Sequence, residues 1–315
     1  MSDLPRLLIT MGDVAGVGPE VIARAWPQLV PLCRPVVVGD PAWMARAAEL
    51  VGETAEIPCI RGSDVDISSI RPGQIDARAG RAAYDFLVSA IDRTLAKEAD
   101  GIVTAPLQKE ALHAAGLKYP GHTEILAERT GTLDFAMVLY GDSLAVAHVT
   151  LHMALRDVFR HLTFDSILQK ICLLHDLLPR LIGRAPRLAV AALNPHASDG
   201  GLFGDEEEVI IRPAVEAARR DGITVSGPLP ADTLFVRAHR GEFDGVVAMY
   251  HDEGHIAMKL RSGWRCVNIS AGLPIVRTSV AHGTAFDIAW EGVADESSLV
   301  EAAKVAARLA SSRPN

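Results

Sequence analysis

The sequence predicts an α/β fold built on a mixed sheet, and three observations lead there. Short, nearly all-apolar runs ending in Gly, Pro or Asp alternate with longer amphipathic segments, as expected for parallel strands covered on both faces. One stretch, FAMVLYGDSLAVAHVTLH (135–152), places two apolar runs on either side of GDS, the pattern of an antiparallel hairpin. With 49% hydrophobic but only 5% aromatic residues, the core must be built mainly from Ala, Val, Leu and Ile, as is usual in α/β enzymes.

The elements follow in order. RLLITMG (6–12) reads as a strand that runs into GDVAGVGPE (12–20), a glycine-rich turn, and then a helix over 19–29 with Pro19 at its first position. The turn has neither the G-x-G-x-x-G spacing of a dinucleotide fingerprint nor the GK[ST] of a P-loop, so a plain tight turn stands beside an anion site. PVVVGD (35–40) is a second strand before a helix at 41–52. A helix at 79–99 precedes the strand GIVTAP (101–106), and another covers 108–116. In KYPGHTEIL (118–126), Thr123 can cap a following helix whose amide donors suit a phosphate or carboxylate; capping alone is an equal reading. After the hairpin come a helix (164–182), the strand RLAVAALNP (187–195), a helix (206–221) and the strands DGVVAMYHD (244–252) and CVNISAG (266–272). VNISAGLPIVRTSVAHGTAFDIAWEGVAD (267–295) reads as mostly irregular, and its many donors and acceptors beside small residues suggest a pocket wall. A last helix, 297–312, has an apolar face that packs most economically on the N-terminal half. The expected domains are therefore 1–127 plus 275–315, and 128–274. No linker, repeat or low-complexity segment is present.

A chain of 315 residues suits two domains sharing a cleft, or one large domain. Its net charge of -8 argues against a nucleic-acid binder and leaves any anionic substrate to local cationic residues. Cys33, Cys59, Cys172 and Cys266 are scattered without a CxxC pair, as reduced thiols are. MSDLPRLLITMGD does not read as a signal peptide, and no apolar run approaches the roughly 20 residues of a membrane span. The expectation is a soluble, cytoplasmic protein that binds no membrane.

Ligands of α/β sheets bind beyond the carboxyl ends of strands, which directs attention to the polar residues there. His152 follows AVAHVTL, His196 ends AVAALNPH and His251 ends GVVAMYH, while His122 sits in YPGHTE. Three strand ends finishing in histidine could bring three neutral imidazoles onto one ion; hydrogen-bonded loop histidines are the equal alternative. In HDEGH, Gly254 directly after a strand argues against a helix, so His251 and His255 need not share an ion. Asp252 could orient an imidazole or act as a base, and Glu253 reads as a solvated loop carboxylate. Arg277 offers a planar fork for a carboxylate or phosphate, and Lys259 supplies a second cation.

MGDVAGVGPE, APLQKEALHAAGLKYPGHTE, LNPHASDGGLFGDEE, GPLPADTLF, MYHDEGHIAMK and GLPIVRTSVAHGTAFDIAW, running in order across nearly the whole chain, together resemble the 4-hydroxythreonine-4-phosphate dehydrogenase family. The resemblance implies an isocitrate/isopropylmalate dehydrogenase-like fold, with two α/β domains and a cleft between them. It also implies metal-dependent, NAD- or NADP-linked oxidation of a 3-hydroxy acid phosphate, followed by loss of CO2. Family metal ligands fall on His152, His196 and His251, for one divalent ion (Zn, Mg, Mn or Co). Substrate contacts fall on His122, Thr123, Lys259, Asn268 and Arg277. His282, Gly283, Thr284, Ala285 and Asp287 would flank the cofactor. Asp232, Asp252 and Lys259 are candidates for the proton acceptor. The family works as a homodimer with its site completed across the interface, and the hairpin would lie at that interface.

Departures bear on the substrate. Members of the pyridoxine pathway, whose action on 4-phosphooxy-L-threonine is the alternative reading, have HDQGLP where this chain has HDEGHIA. His255 and AFDIAW are more similar to a second branch, which acts on 4-phospho-D-threonate and 4-phospho-D-erythronate. That branch tends to have Gln at Glu253 and Asp at Ala281. Terephthalate dihydrodiol dehydrogenases share the histidine after HD-x-G but lack PGHTE, so a phosphorylated substrate is expected here. A three-histidine metal hydrolase is the reading from another reaction class; it would have no need of the HGTAFDIAW loop. Because C2 carries a hydroxyl in one substrate and an ammonium in the other, His255 is expected near C2.

Overall fold

The computed structural model describes residues 4–312. Two compact units are present, one running to Leu133 and resuming at Leu273, the other spanning Asp134–Gly272. In the first, β1 (Arg6–Thr10), α1 (Gly18–Leu29), β2 (Arg34–Gly39), α2 (Pro41–Val51), β3 (Cys59–Arg61), α3 (Ala77–Leu95) and β4 (Gly101–Thr104) alternate before α4 (Lys109–Ala114) and α5 (His122–Thr130). The second unit opens with β5 (Ala136–Gly141) and β6 (Leu144–His148), then α6 (Leu155–His161), α7 (Phe164–Ile182), β7 (Leu188–Ala191), α8 (Arg212–Arg220), β8 (Val225–Leu229), α9 (Ala231–His239), β9 (Gly245–Ala248), α10 (His251–Ser262) and β10 (Val267–Ala271). The chain then completes the first unit with β11 (Val276–Ser279) and α11 (Ser297–Ser311).

First-unit strands lie in the order β3-β2-β1-β4-β11, all parallel. Leu7, Leu8 and Ile9 on β1 are buried, and α11 packs its apolar face on α1, β1, β4 and β11. Sequence neighbours of β1 lie to one side and β4 to the other, which makes the β1–β4 edge a topological switch point. Thr10, Thr104 and Ser279 stand in register there, at the carboxyl ends of three adjacent strands. The second unit runs β10-β5-β6-β9-β7-β8. Here β10, β5 and β6 are antiparallel neighbours, whereas β6, β9, β7 and β8 are parallel. Asp142 and Ser143, both at positive φ, turn the β5–β6 hairpin, as two-residue hairpin turns require. Helix ends follow local chemistry: Asp40 accepts the N–H groups of Ala42 and Trp43 at the start of α2, and Thr163 and Ser166 form a capping box on α7.

Several expectations are corrected. CVNISAG is antiparallel to its β5 neighbour, not one of the parallel strands. Segment 267–295 is less irregular than its polarity suggests, because it contains β10 and β11; Arg277, Thr278 and Ser279 are polar but fully enclosed. Thr123 does not cap α5: the helix begins at His122 with Gly121 as N-cap and no side-chain cap bond. HDEGH opens α10 and is helical despite Gly254. Residues 206–221 divide into a π-helical turn, Glu207–Ile211, followed by α8. Among the described residues no helix is long and apolar enough to cross a membrane.

Candidate active site

In the second unit, β6 and β9 are parallel with His148 opposite Ala248, so their carboxyl ends lie side by side. His148 ends one strand, and His251 starts the helix that follows the other. Four imidazoles gather there. His251 and His255, one turn apart on α10, stack with centroids 3.7 Å apart and planes 13° apart. His148 lies 4.6 Å from His255, and His152 lies 5.7 Å from His251. Burial, reinforced by neighbouring imidazoles, lowers the pKa of His148 to about 3 and that of His255 to about 4, so both rings are neutral at neutral pH.

The start of α10 explains why Gly254 does not break it. A Cβ on Gly254 would sit 2.4 Å from His148 Nε2, so the glycine admits the buried imidazole against the helix. Tyr250 at the N-cap offers no side-chain bond. Instead Glu253 reaches back to accept the Met249 N–H at 2.5 Å, with the Tyr250 N–H also acting on it. Glu253 is therefore not a solvated loop carboxylate, and desolvation pushes its carboxyl up to about 8. Asp252 is exposed, with its Oδ1 2.7 Å from His251 Nδ1.

His196 is held differently. It lies in Pro195–Asp199, where His196, Ala197, Ser198 and Asp199 have φ of 54°, 54°, 61° and 44°. Four consecutive non-glycine residues in the left-handed region are strained. Behind them Glu207, 1% exposed on its π-turn, accepts the N–H groups of Leu193 (2.8 Å) and Asn194 (2.7 Å) and the Asn194 Nδ2 (3.0 Å). A π-turn at such a place is a common mark of a functional site.

The structure thus brings His152 and His251 together and leaves His196 exposed on its loop. Among the described residues, no group of three or more His, Cys, Asp or Glu side chains stands at metal-holding spacing. The donor chemistry suits a divalent ion, since two imidazoles adjoin at the strand ends, but the full three-histidine set is not assembled in this chain. Lys259 is one turn beyond His255 on α10, and its charge acts on that ring. Asn268 on β10 has its Oδ1 buried with no hydrogen-bond partner among the described residues. Asp232, in the first turn of α9, is exposed, and its Oδ1 accepts the Thr233 N–H.

In the first unit, Arg277 on β11 is 2% exposed and donates from Nη2 to Thr104 Oγ1 at 2.7 Å. Burial pushes its pKa down to about 9, with the Glu124 charge opposing. His122 in the first turn of α5 is held well below its usual range, first by burial and then by the Arg277 charge. A buried guanidinium beside a neutral imidazole and a hydroxyl gains from an incoming phosphate or carboxylate. Thr123 is half-buried on the same turn.

The loop after β11 carries the expected cofactor residues, and GDVAGVGPE supports it from behind. Glu20, fully buried on α1, accepts the N–H groups of Trp290 (2.7 Å) and Ala294 (2.9 Å). Val17 N–H donates to the Thr284 carbonyl at 3.0 Å, and Trp290 Nε1 donates to the Val14 carbonyl at 2.8 Å. The glycine-rich turn is therefore a brace, in which a Cβ on Gly16 would meet the Thr284 carbonyl at 2.8 Å. Thr284 is buried by these bonds; Gly283 and Asp287 are exposed, and Ala285 adopts a φ of 43°. His282 Nε2 is buried without a hydrogen-bond partner among the described residues, which suits a polar group of a bound ligand. Thr104, Glu20, Glu207 and His148 escaped the sequence reading. Only Glu20, at the start of a helix after a glycine-rich turn, carried a local signal.

The family model described as "Pyridoxal phosphate biosynthetic protein PdxA" matches residues 31–306. The chain is 47% identical to a D-threonate 4-phosphate dehydrogenase from Cupriavidus necator, covering 99% of this chain and all of that protein. It is 46% identical to a 4-hydroxythreonine-4-phosphate dehydrogenase from Beijerinckia indica, covering 98% and 96%. A 4-hydroxythreonine-4-phosphate dehydrogenase structure from Klebsiella pneumoniae superposes with a TM-score of 0.87 at 42% identity, over 98% of this chain and 99% of that one. With the strand-end histidines, the buried arginine and the braced loop all lying on matched sequence, the chain belongs to the PdxA family.

Proposed function

We propose that this protein is a divalent-metal-requiring, NAD- or NADP-linked dehydrogenase. It oxidises the 3-hydroxyl of a 4-phosphorylated four-carbon acid of the 4-phospho-D-threonate or D-erythronate type and decarboxylates the product. The observation that carries the reading is the buried Arg277, joined to Thr104 and beside the neutral His122, which suits a phosphate. In the first unit Arg277, His122 and Thr123 bind and orient that phosphate; Lys259 and Asn268 are the second unit's candidates for contact with the acid. His152, His196 and His251 would hold the ion, and His282, Gly283, Thr284, Ala285 and Asp287 would hold the dinucleotide. When bound, the ion supplies Lewis-acid polarisation of the reacting oxygens and the nicotinamide supplies a hydride acceptor. Asp252 orients His251 through Nδ1 and is the proton acceptor best placed at the imidazoles; Asp232 and Lys259 are the other candidates. Exposed Met153, Leu155 and Phe159, on and just before α6, support a homodimer in which a second copy completes the site.

The test is NAD(P)H formation from 4-phospho-D-threonate with Mn2+ or Mg2+. Growth of absorbance that EDTA abolishes is expected. No growth with this substrate or with 4-phosphooxy-L-threonine refutes the reading. A far higher kcat/KM for 4-phosphooxy-L-threonine would transfer the chain to pyridoxal phosphate synthesis.

A further inference from the structure

We propose that Arg46, exposed on α2, is a positioning residue for the dinucleotide: with Trp43 it clamps the Trp290 indole and so holds the segment carrying Asp287 in its binding conformation. This rests on the dehydrogenase reading above and deepens it. The segment is bounded by two non-glycine residues in the left-handed region, Ala285 at a φ of 43° and Trp290 at 66°. Asp287 is exposed between them. The chain turns twice there, with the Ile288 N–H donating to the Ala285 carbonyl and the Glu291 N–H to the Ile288 carbonyl. A side chain as bulky as an indole persists at such a φ only where its surroundings over-determine it. Glu20 holds the Trp290 N–H and Val17 holds the Thr284 carbonyl, so the main chain is pinned from α1 and the turn before it. The ring needs restraints of its own.

Those restraints come mainly from α2. Trp43 and Arg46 are three residues apart and so share a face of that helix. Asp40 accepts the Trp43 N–H at 3.1 Å, and Trp43 Nε1 donates to the Ile67 carbonyl at 3.2 Å, which together set the Trp43 ring. The two indoles meet edge to face, with centroids 5.0 Å apart and planes at 70°. The Arg46 guanidinium carbon lies 4.5 Å from the Trp290 ring centroid and 5.1 Å from that of Trp43, so one cation bridges both π-systems. With Nε1 tied to the Val14 carbonyl, the Trp290 ring is gripped at its polar atom, by a second ring and by a cation. Removing the cation leaves the strain at Trp290 opposed by fewer contacts, and the backbone there relaxes and re-aims Asp287. Arg277 on β11, joined to Thr104 on β4, takes no part in the clamp.

The experiment measures Kd for NAD, NADP and 4-phospho-D-threonate by calorimetry with Mn2+ present, acrylamide quenching of indole fluorescence, and thermal melting. The proteins are the wild type, Arg46→Ala, Arg46→Lys, Trp290→Gly and the double variant Arg46→Ala/Trp290→Gly. Arg46→Ala should raise Kd for the tighter-binding dinucleotide about three- to tenfold, the worth of a cation shared by two indoles, and should increase quenching. Melting and Kd for the acid should stay near wild type. Arg46→Lys keeps a charge over the rings and should recover part of both effects. Glycine takes the φ of 66° without a Cβ, so Trp290→Gly removes the strain together with the ring, and Arg46→Ala should then add nothing. An unchanged dinucleotide Kd in Arg46→Ala, its full effect persisting in the Trp290→Gly background, or parallel losses for dinucleotide and acid overturns the inference while the dehydrogenase reading stands. If Trp290→Gly does not fold, an Arg46→Lys that binds dinucleotide no better than Arg46→Ala overturns it. A wild type that binds neither dinucleotide overturns both.

Discussion

Removing the Glu207 carboxylate should detach function from stability at the His196 loop. Glu207→Ala deletes three hydrogen bonds, from the N–H groups of Leu193 and Asn194 and from Asn194 Nδ2. At about 1–1.5 kcal/mol net apiece, allowing for the cost of keeping a charge buried, the loss is roughly 3–4 kcal/mol. Against this stands the strain of His196, Ala197, Ser198 and Asp199, all left-handed, at roughly 1 kcal/mol each. Once unclamped, the loop relaxes and recovers much of that strain. The two terms nearly cancel, so unfolding free energy should change by less than about 2 kcal/mol. Presentation of His196 is lost outright, so under the proposed three-histidine site metal affinity and turnover should fall about 10- to 100-fold, as when the support of a ligand is removed. Isothermal calorimetry with Mn2+, turnover of 4-phospho-D-threonate and chemical denaturation measure the three quantities. Glu207→Gln keeps an oxygen for both backbone donors and should restore most of the affinity. The reasoning fails if Glu207→Ala loses the full 3–4 kcal/mol of stability while each folded molecule binds metal as before. Burial opposes ionisation of Glu207, but the bonds from Asn194 and Leu193 outweigh it and set the carboxyl below its ordinary range. The clamp is therefore complete above the unfolded pKa of about 4.3 and is lost as pH falls through the folded value.

Glu20→Ala should raise KM for the dinucleotide several-fold with little change in KM for the phosphorylated acid, because Trp290 and Ala294 lose their carboxylate while Arg277 keeps Thr104; equal increases in both would refute the brace. Asp244, almost buried, is gripped by Arg184 through two bonds and by Arg187; burial alone would raise its carboxyl, but these bonds hold it well below the usual range. A depressed pKa gives stability above about pH 4 that disappears on acidification, so the gap in denaturation midpoint between wild type and Asp244→Asn should narrow as pH falls, and a gap independent of pH would refute the ion-pair account.

Strands and helices whose polarity matched their burial were legible; those where polarity and burial disagree were not. Runs such as GIVTAP and DGVVAMYHD are buried on both faces and announce it, and they contain β4 and β9. β11 hides because VRTS looks like surface, although Arg277 lies inside a site. β8 includes Gly227 and Pro228, residues that ordinarily mark a turn. α10 departs from the sequence expectation for a reason that spacing does not contain: Gly254 admits an imidazole from a strand far away in sequence and does not make a turn. The same applies to the candidate site. His152 and His251 stood out by following apolar runs, and they do adjoin. His148 sits inside such a run and looks like one more strand residue until α10 is packed on it.

One physical device recurs across both units. Glu20, Glu207 and Glu253 each turn a carboxylate away from solvent and onto backbone N–H groups of a segment that carries candidate ligands: Glu20 on Trp290 and Ala294, Glu207 on Leu193 and Asn194, Glu253 on Met249 and Tyr250. A loop held through its main chain keeps its side chains free to meet a substrate, which a loop held through those side chains does not. The choice of acid also resolves an apparent conflict, since a chain of net charge -8 is proposed to bind a phosphorylated acid. Negative charge taken up by backbone donors, or protonated as burial favours for Glu253, presents little field to an incoming anion. Each unit keeps one candidate cation for the proposed anion, buried Arg277 in the first and helical Lys259 in the second.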